Sequence, residues 1–117
     1  MVWQKSMTLT EDIYTITKKF PSSEIYGITS QMRRCSLSIP SNIAEGGERN
    51  SDKLHTNFLH IAKGSAAELE TQIILSQRLG FISHSEEQKL LQQIQEILKM
   101  LSGFISTLKK SNLKAAS

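Results

Sequence analysis

Residues 37–50, LSIPSNIAEGGERN, decide how the fold is interpreted, because they place a proline inside a helical pattern. A proline in a helix interior removes one hydrogen bond and clashes with the preceding turn, at a cost of about 3 kcal/mol. Helical spacing nevertheless continues through it without a break, at Ile28, Met32, Cys35, Ile39, Asn42 and Gly46. We therefore predict one helix over residues 28–46, kinked at Pro40 so that the Ser36 carbonyl loses its partner.

Helical spacing also dominates the flanking sequence and predicts three more helices, over residues 2–19, 52–79 and 84–109. The first ends ahead of Pro21, because the residue before a proline avoids the helical region. Ser51 is a good N-cap for the third, and SHSE at residues 83–86 is a capping box for the fourth. The sequence thus predicts an all-α, antiparallel up-down-up-down four-helix bundle over residues 1–110, followed by a frayed basic tail at 111–117.

Length and composition are those of one soluble domain. The chain has 117 residues, 38% of them hydrophobic and 21% charged, and a single cysteine. No apolar run approaches the roughly 20 residues that a membrane helix needs, so we expect a cytoplasmic protein with no membrane partner. The net charge of +3 comes from the tail lysines, since the remainder carries 11 basic and 11 acidic side chains.

Motifs for catalysis and metal binding are weak. Asp52 and His55 give one near-match to the paired Glu-x-x-His motifs of di-iron bundles, and no second copy exists in the sequence. Cys35 lies on the apolar stripe of the second helix, where cysteine behaves as a small hydrophobe. We predict no catalytic, cofactor-binding or metal-binding residues, no cofactor and no small-molecule substrate, and therefore no enzyme.

Polar residues at core-facing positions are more informative. Glu68 lies between Ile61, Ser65 and Gln72 on the predicted apolar face of the third helix, and a buried carboxylate needs partners. We predict a hydrogen-bonded network with the second helix in which Arg34 or Asn42 meets Glu68. Its members would be Gln31, Arg34, Ser38, Asn42, Glu45, Arg49 and Glu68. The network either fixes helix register, as a single core Asn does in coiled coils, or binds a partner.

Two further patterns concern helix contacts. Gly64, Ser65 and Ala66 are small residues in mid-helix, which predicts a close crossing against the second helix. The apolar arc of the fourth helix is wider than a bundle needs, which predicts a subunit interface in preference to a thicker core. The interface candidates are Trp3, Met7, Leu91, Leu98, Met100 and Ile105.

The motifs SIPSNIAEG at residues 38–46 and GSAAELETQ at residues 64–72 closely resemble the bacterial four helix bundle protein family. Its first members are encoded in intervening sequences of large-subunit ribosomal RNA genes. More distantly, the chain is similar to the accessory variability determinant of diversity-generating retroelements. The motif residues here are Arg34, Ser38, Pro40, Asn42, Glu45, Gly46, Gly64, Ser65, Glu68 and Glu70.

The resemblance implies a ring-like homopentamer without catalytic activity, and an RNA, DNA or reverse-transcriptase partner. One hypothesis is an oligomeric accessory that binds nucleic acid, because a ring multiplies modest basic patches. The other is a scaffold that holds a protein partner without binding nucleic acid. Under the first hypothesis the contacts would be Lys18, Lys19, Arg33, Arg34, Arg49, Lys53, Lys109, Lys110 and Lys114.

Overall fold

The computed structural model describes the backbone of residues 1–116 and the side chains of residues 1–111. Four α-helices account for most of it: α1 (Val2–Thr17), α2 (Ile28–Gly47), α3 (Asp52–Arg78) and α4 (His84–Ala116). One turn of 3₁₀ helix, Ser22–Glu24, lies between α1 and α2. The part of the chain described here contains no strand, so the all-α prediction is confirmed.

Each helix packs on two neighbours. α2 contacts α1 and α3, α4 contacts α3 and α1, and the described residues make no contact between α1 and α3 or between α2 and α4. Side-chain pairs run in opposite directions along α1 and α4, where Lys5 pairs with Glu96 and Lys19 with Glu86. The seam between α1 and α4 is the smallest of the four, and the seam between α2 and α3 is the largest.

Local sequence signals set the helix ends. The Leu54 amide donates to the Ser51 hydroxyl at 3.1 Å, which is the N-cap predicted for α3. At α4, Ser83 and Glu86 exchange the two hydrogen bonds of a capping box, at 2.8 and 3.1 Å. Gly80 follows α3 with φ of +81°, a conformation that favours glycine.

Two helix ends differ from the prediction. α1 stops at Thr17, two residues before the expected end, because the chain turns there toward Pro21. α4 continues to Ala116 past the expected end near residue 109, because residues 104–116 contain neither proline nor glycine to stop it. The expected frayed tail is therefore helical up to Ala116, and residue 117 lies outside the described part.

Pro40 lies inside a continuous α2, and a hydroxyl from α1 contacts the backbone group that it orphans. The Thr10 hydroxyl lies 3.0 Å from the Ser36 carbonyl oxygen, the acceptor that a residue-40 amide would normally reach. The same hydroxyl lies 2.9 Å from the Ser6 carbonyl of its own helix, so one proton is shared between two acceptors. Ser6 and Ser36 are fully buried, and their short side chains let α1 and α2 approach each other closely. The bend at Pro40 stays a prediction.

The core face of α3 was predicted one position away from the observed one. The structure buries Leu59, Ala62, Ala66, Leu69 and Ile73, whereas Ile61 is 51% exposed and Glu68 is exposed. Both stripes repeat every three or four residues and both contain apolar side chains, so periodicity alone does not choose between them. The buried stripe is the one that faces α2 and α4 together.

The wide apolar arc of α4 is used largely within the chain, which removes Ile105 from the predicted subunit interface. Ile105 is 5% exposed and belongs to the core, while Leu91, Leu98 and Met100 are half-buried against it. A helix that packs in the groove between two neighbours needs a broader apolar arc than a helix with one neighbour. The thicker-core interpretation therefore applies to α4, and only Trp3 and Met7 of the six candidates are exposed.

Helices α2 and α3 approach each other closely at Gly46. A Cβ added there would lie 2.9 Å from His55 Cδ2 and from Phe58 Cβ, and 3.2 Å from the His55 carbonyl. Gly64, which was expected at a close crossing, is exposed and has no atom within 4 Å of an added Cβ. The neighbouring Ser65 and Ala66 do face α2 and the core respectively.

Thr10→Val is expected to lower the free energy of unfolding by about 1–3 kcal/mol, because the Ser36 carbonyl would be buried without a donor. The measurement is urea unfolding followed by circular dichroism. Thr8→Val is the matched control: its exposed hydroxyl bonds only within its own helix, and the change should stay within about 0.5 kcal/mol. Pro40→Ala restores an amide near Ser36, so Thr10→Val should cost less in that background. Equal costs in both backgrounds would contradict the assignment.

Gly46→Ala and Gly64→Ala are expected to act in opposite directions. At Gly46 a methyl group meets the α3 backbone and should destabilise the chain by about 1–3 kcal/mol. At Gly64 the space is open, and the better helix propensity of alanine should stabilise the chain by about 0.5–1 kcal/mol. Thermal unfolding of both variants checks the pair, and the same sign of effect at both positions would refute it.

Candidate functional site

Part of the predicted polar network forms between α2 and α3. Ser38 Oγ and Ser65 Oγ lie 2.8 Å apart, and the Asn42 amide donates to both the carbonyl and the hydroxyl of Ser38, at 2.8 and 3.0 Å. The Cys35 thiol donates to the Ser65 carbonyl at 3.0 Å. Cys35 and Ser38 thus join the middle of α2 to Ser65 in the middle of α3, and Asn42 holds Ser38 from its own helix.

The charged members of that set are placed differently. Glu45 and Arg49 form an ion pair one turn apart, and the Arg49 guanidinium stacks 4.8 Å above the Phe58 ring. Gln31, Arg34 and Glu68 line an open cleft of about 340 Å³ beside Ser38 and Ser65. No hydrogen bond joins Glu68 to Arg34 or Asn42 among the described side chains, and Glu68 is exposed at the rim of this cleft.

Cys35 has the environment of an unreactive thiol. Burial and, secondarily, the nearby Glu68 carboxylate raise the pKa of Cys35 to about 12. The thiolate is the nucleophilic form of cysteine, and here it is suppressed at neutral pH. Within the described residues no group of three or more His, Cys, Asp or Glu side chains could hold a metal ion.

Several of the predicted basic contacts are engaged inside the chain. Lys19 pairs with Glu86, and this contact together with the Ser83 amide holds the pKa of Glu86 below its ordinary value. Arg33 stacks 4.9 Å above the Tyr14 ring and donates to the Thr17 hydroxyl at 2.9 Å. With Arg49 bound to Glu45 and Arg34 facing the cleft that holds Glu68, these cations do not form one surface.

Five basic side chains gather between the N-terminal half of α3 and the C-terminal half of α4. Two adjoining cavities, of about 440 and 340 Å³, share His60 and Lys109 in their walls. We call this surface the basic groove and define it by Lys53, His60, Lys63, Lys109 and Lys110. None of the five forms an ion pair with a described side chain, and Asp52 is the one acid in the cavity walls.

Some residues of the basic groove were predicted from the sequence as nucleic-acid contacts, and others were not. Lys53, Lys109 and Lys110 were predicted as nucleic-acid contacts, whereas Lys63 and His60 were missed. Lys53 and His60 are seven residues apart, so they lie on one face of α3, and this spacing was the available signal. Lys18 is exposed near the end of α1, away from the groove, and the side chain of Lys114 lies outside the described part of the structure.

Exposed apolar side chains form two further surfaces. On α1, Trp3, Met7 and Tyr14 are 42%, 37% and 38% exposed, and Leu37 of the adjacent α2 is also exposed. On α3, the exposed stripe contains Leu54, Ile61, Leu75 and Leu79. Because α1 and α3 do not contact each other, these surfaces lie on opposite sides of the bundle.

Comparisons with known proteins agree with the fold. The family described as 23S rRNA-intervening sequence protein matches residues 1–103. A 1.70 Å crystal structure of a protein of unknown function from the S23 ribosomal protein family of Bacteroides thetaiotaomicron VPI-5482 is similar, with a TM-score of 0.81 and 26% sequence identity. The match covers 90% of this chain and 98% of that one. No curated protein matches.

In the described residues, no helix combines the length and the apolar character needed to span a membrane.

Proposed function

Because the chain belongs to the 23S rRNA-intervening sequence protein family, we propose that it is a non-enzymatic, homo-oligomeric cytoplasmic accessory that binds nucleic acid through the basic groove. The observation that carries this proposal is the concentration of four lysines and His60 around one acid, Asp52. The bundle as a whole is nearly charge-neutral, so this local imbalance is a property of the tertiary arrangement.

The proposed binding depends on electrostatic attraction between the lysines of the groove and the phosphates of a nucleic acid. Each lysine that contacts a phosphate releases a condensed counterion, and affinity therefore falls steeply with salt concentration. The lysines of the groove are free for such contacts, whereas Lys5 and Lys19 neutralise Glu96 and Glu86. One groove offers few contacts, and several copies in one assembly would raise the overall affinity through avidity.

The two apolar surfaces support self-assembly. They differ in composition and lie on opposite sides of the bundle, so contact of the α1 surface of one copy with the α3 surface of the next is heterologous. Heterologous contacts close into rings when the rotation between copies allows it. A homopentameric ring is the assembly that we propose, and a reverse transcriptase or a similar nucleic-acid enzyme would be a partner consistent with it.

A protein-binding scaffold that does not bind nucleic acid is the second candidate. It is favoured by the same exposed apolar side chains, among which Trp3 and Ile61 are large and exposed enough to anchor another protein. The scaffold predicts a specific co-purifying protein and no retained nucleic acid, whereas the accessory predicts nucleic acid that is released by salt.

Replacing the four groove lysines (Lys53, Lys63, Lys109 and Lys110) by alanine is expected to lower nucleic-acid affinity at least about 100-fold near 50 mM salt. The matched control replaces Lys5, Lys18, Lys19 and Lys89, which removes the same charge from α1 and the N-terminal half of α4. Fluorescence anisotropy with a labelled RNA measures both, after circular dichroism has shown that each variant is folded. Equal losses in the two variants would refute the groove, and absence of wild-type binding would refute the function.

Light scattering of the wild-type chain is expected to give a mass of several chains, five in the proposed ring. Ile61→Glu places a charge on the α3 surface without touching the core and should shift the mass toward one chain. Gln92→Glu, at an exposed position of α4 outside both apolar surfaces, is the control and should leave the assembly intact. A wild-type mass of one chain would contradict the oligomer, whatever the result for nucleic acid.

A further inference from the structure

The basic groove lacks the large aromatic side chains on which proteins stack single-stranded bases. Among the described residues, no Phe, Tyr or Trp lines either of its cavities, and the apolar wall consists of the aliphatic Ile105 and Leu108. Stacking of bases on aromatic rings supplies about 1–3 kcal/mol per base in single-strand binding sites. Here His60 is the one ring that the described residues place in the cavity walls, so a run of unpaired bases has no continuous stacking surface.

The exposed aromatic rings of the chain lie elsewhere. Trp3 and Tyr14 are on α1, and Tyr26 is in the connection between α1 and α2. Tyr14 stacks with Arg33 of α2, and Trp3, eleven residues earlier, lies on the same face of α1. The α4 side of α1 carries Lys5 and Asp12 instead, so a strand lying in the groove between α3 and α4 would not reach these rings within the same subunit. Cations and stacking surfaces are thus separated in this fold.

What the groove does offer is ammonium and hydroxyl groups on its two walls. Lys53, His60 and Lys63 follow one another along α3, and their Cα atoms span about 15 Å at 1.5 Å per residue. On the α4 side, Ser102 and Ser106 precede Lys109 and Lys110. All of these groups can donate to phosphate oxygens, and serine and lysine contacts of this kind carry no base information by themselves.

We propose that the basic groove binds the phosphate backbone of a double-stranded nucleic acid, irrespective of its base sequence. This inference rests on the proposed nucleic-acid function and specifies its ligand. A duplex carries one charge per about 1.7 Å of axis, so each neutralised phosphate contributes a salt slope of about 0.9, against about 0.7 for a single strand. A site that depends on charge without stacking therefore binds the duplex more tightly.

The size of the difference follows from the number of lysines. If four lysines contact phosphates, raising salt from about 50 to 200 mM weakens duplex binding about 150-fold and single-strand binding about 50-fold. At the lower salt concentration the duplex should bind at least about tenfold more tightly than either of its strands. Two duplexes of unrelated sequence should bind within about threefold of each other.

The experiment uses the full chain and labelled probes of about 20 nucleotides per strand, a length that covers the groove of one subunit several times over. The probes are two RNA duplexes of unrelated sequence, their separate strands designed without self-pairing, and one DNA duplex. Anisotropy titrations at two salt concentrations give affinities and slopes. The DNA duplex separates a general backbone site from one that requires the RNA 2′-hydroxyl.

Variants locate the binding. Lys63→Ala with Lys109→Ala should lower duplex affinity and reduce the salt slope by about 2, whereas Lys18→Ala with Lys89→Ala should leave both unchanged. Tyr26→Ala should also leave duplex binding unchanged, because this ring lies outside the groove and outside both apolar surfaces.

The outcomes separate this inference from the function on which it rests. Single strands that bind as tightly as the duplex, or a strong preference for one sequence, would overturn the duplex assignment while nucleic-acid binding stands. A loss of duplex binding in the Tyr26 variant that exceeds the loss in the groove variant would overturn the location. No binding of any probe at about 50 mM salt would remove the proposed function itself.

Discussion

The hydrogen bond from Thr10 to the Ser36 carbonyl is the contact around which the bundle is organised. Pro40 has no amide to offer this carbonyl, and the carbonyl is buried where water does not compensate. A hydroxyl from α1 fills the place, which ties α1 to the proline turn of α2. The fully buried Ser6 and Ser36 have short side chains that allow this approach. A helix that would be weakened in isolation is thus completed by its neighbour.

The opposite side of α2 packs against α3 through hydrogen bonds between small polar side chains and a close approach at a glycine. Ser38, Asn42 and Ser65 connect the helix centres, and Gly46 lets α3 pass within contact distance near their ends. Because α2 is fixed on both sides, the orientation of α3 is set, and with it the direction of its charged face. Lys53, His60 and Lys63 then lie beside Lys109 of α4, and the basic groove follows from helix packing.

Ion pairing decides which of the basic side chains carry uncompensated charge on the surface of this protein. Lys5, Lys19 and Arg49 have acidic partners, and Arg33 is stacked and hydrogen-bonded. Exposed ion pairs of this kind stabilise a fold by at most about 1 kcal/mol each, so their larger effect is to neutralise surface charge. The lysines without partners consequently stand out as a surface that can meet phosphates. The high pKa of Cys35 shows the opposite arrangement, a group made inert by burial.

The sequence by itself determined the helices, their caps and most of their core faces, because these depend on neighbours within about one turn. Ser51, Ser83 and Gly80 act as their local patterns predict. It left the face of α3 undecided, since two stripes with the same period both contain apolar residues, and the prediction chose the exposed one. The groove also could not be predicted, because Lys63 and Lys109 are 46 positions apart in the chain. Only packing of α3 against α4 brings such positions together, and only the partner helices decide which stripe of a helix is buried.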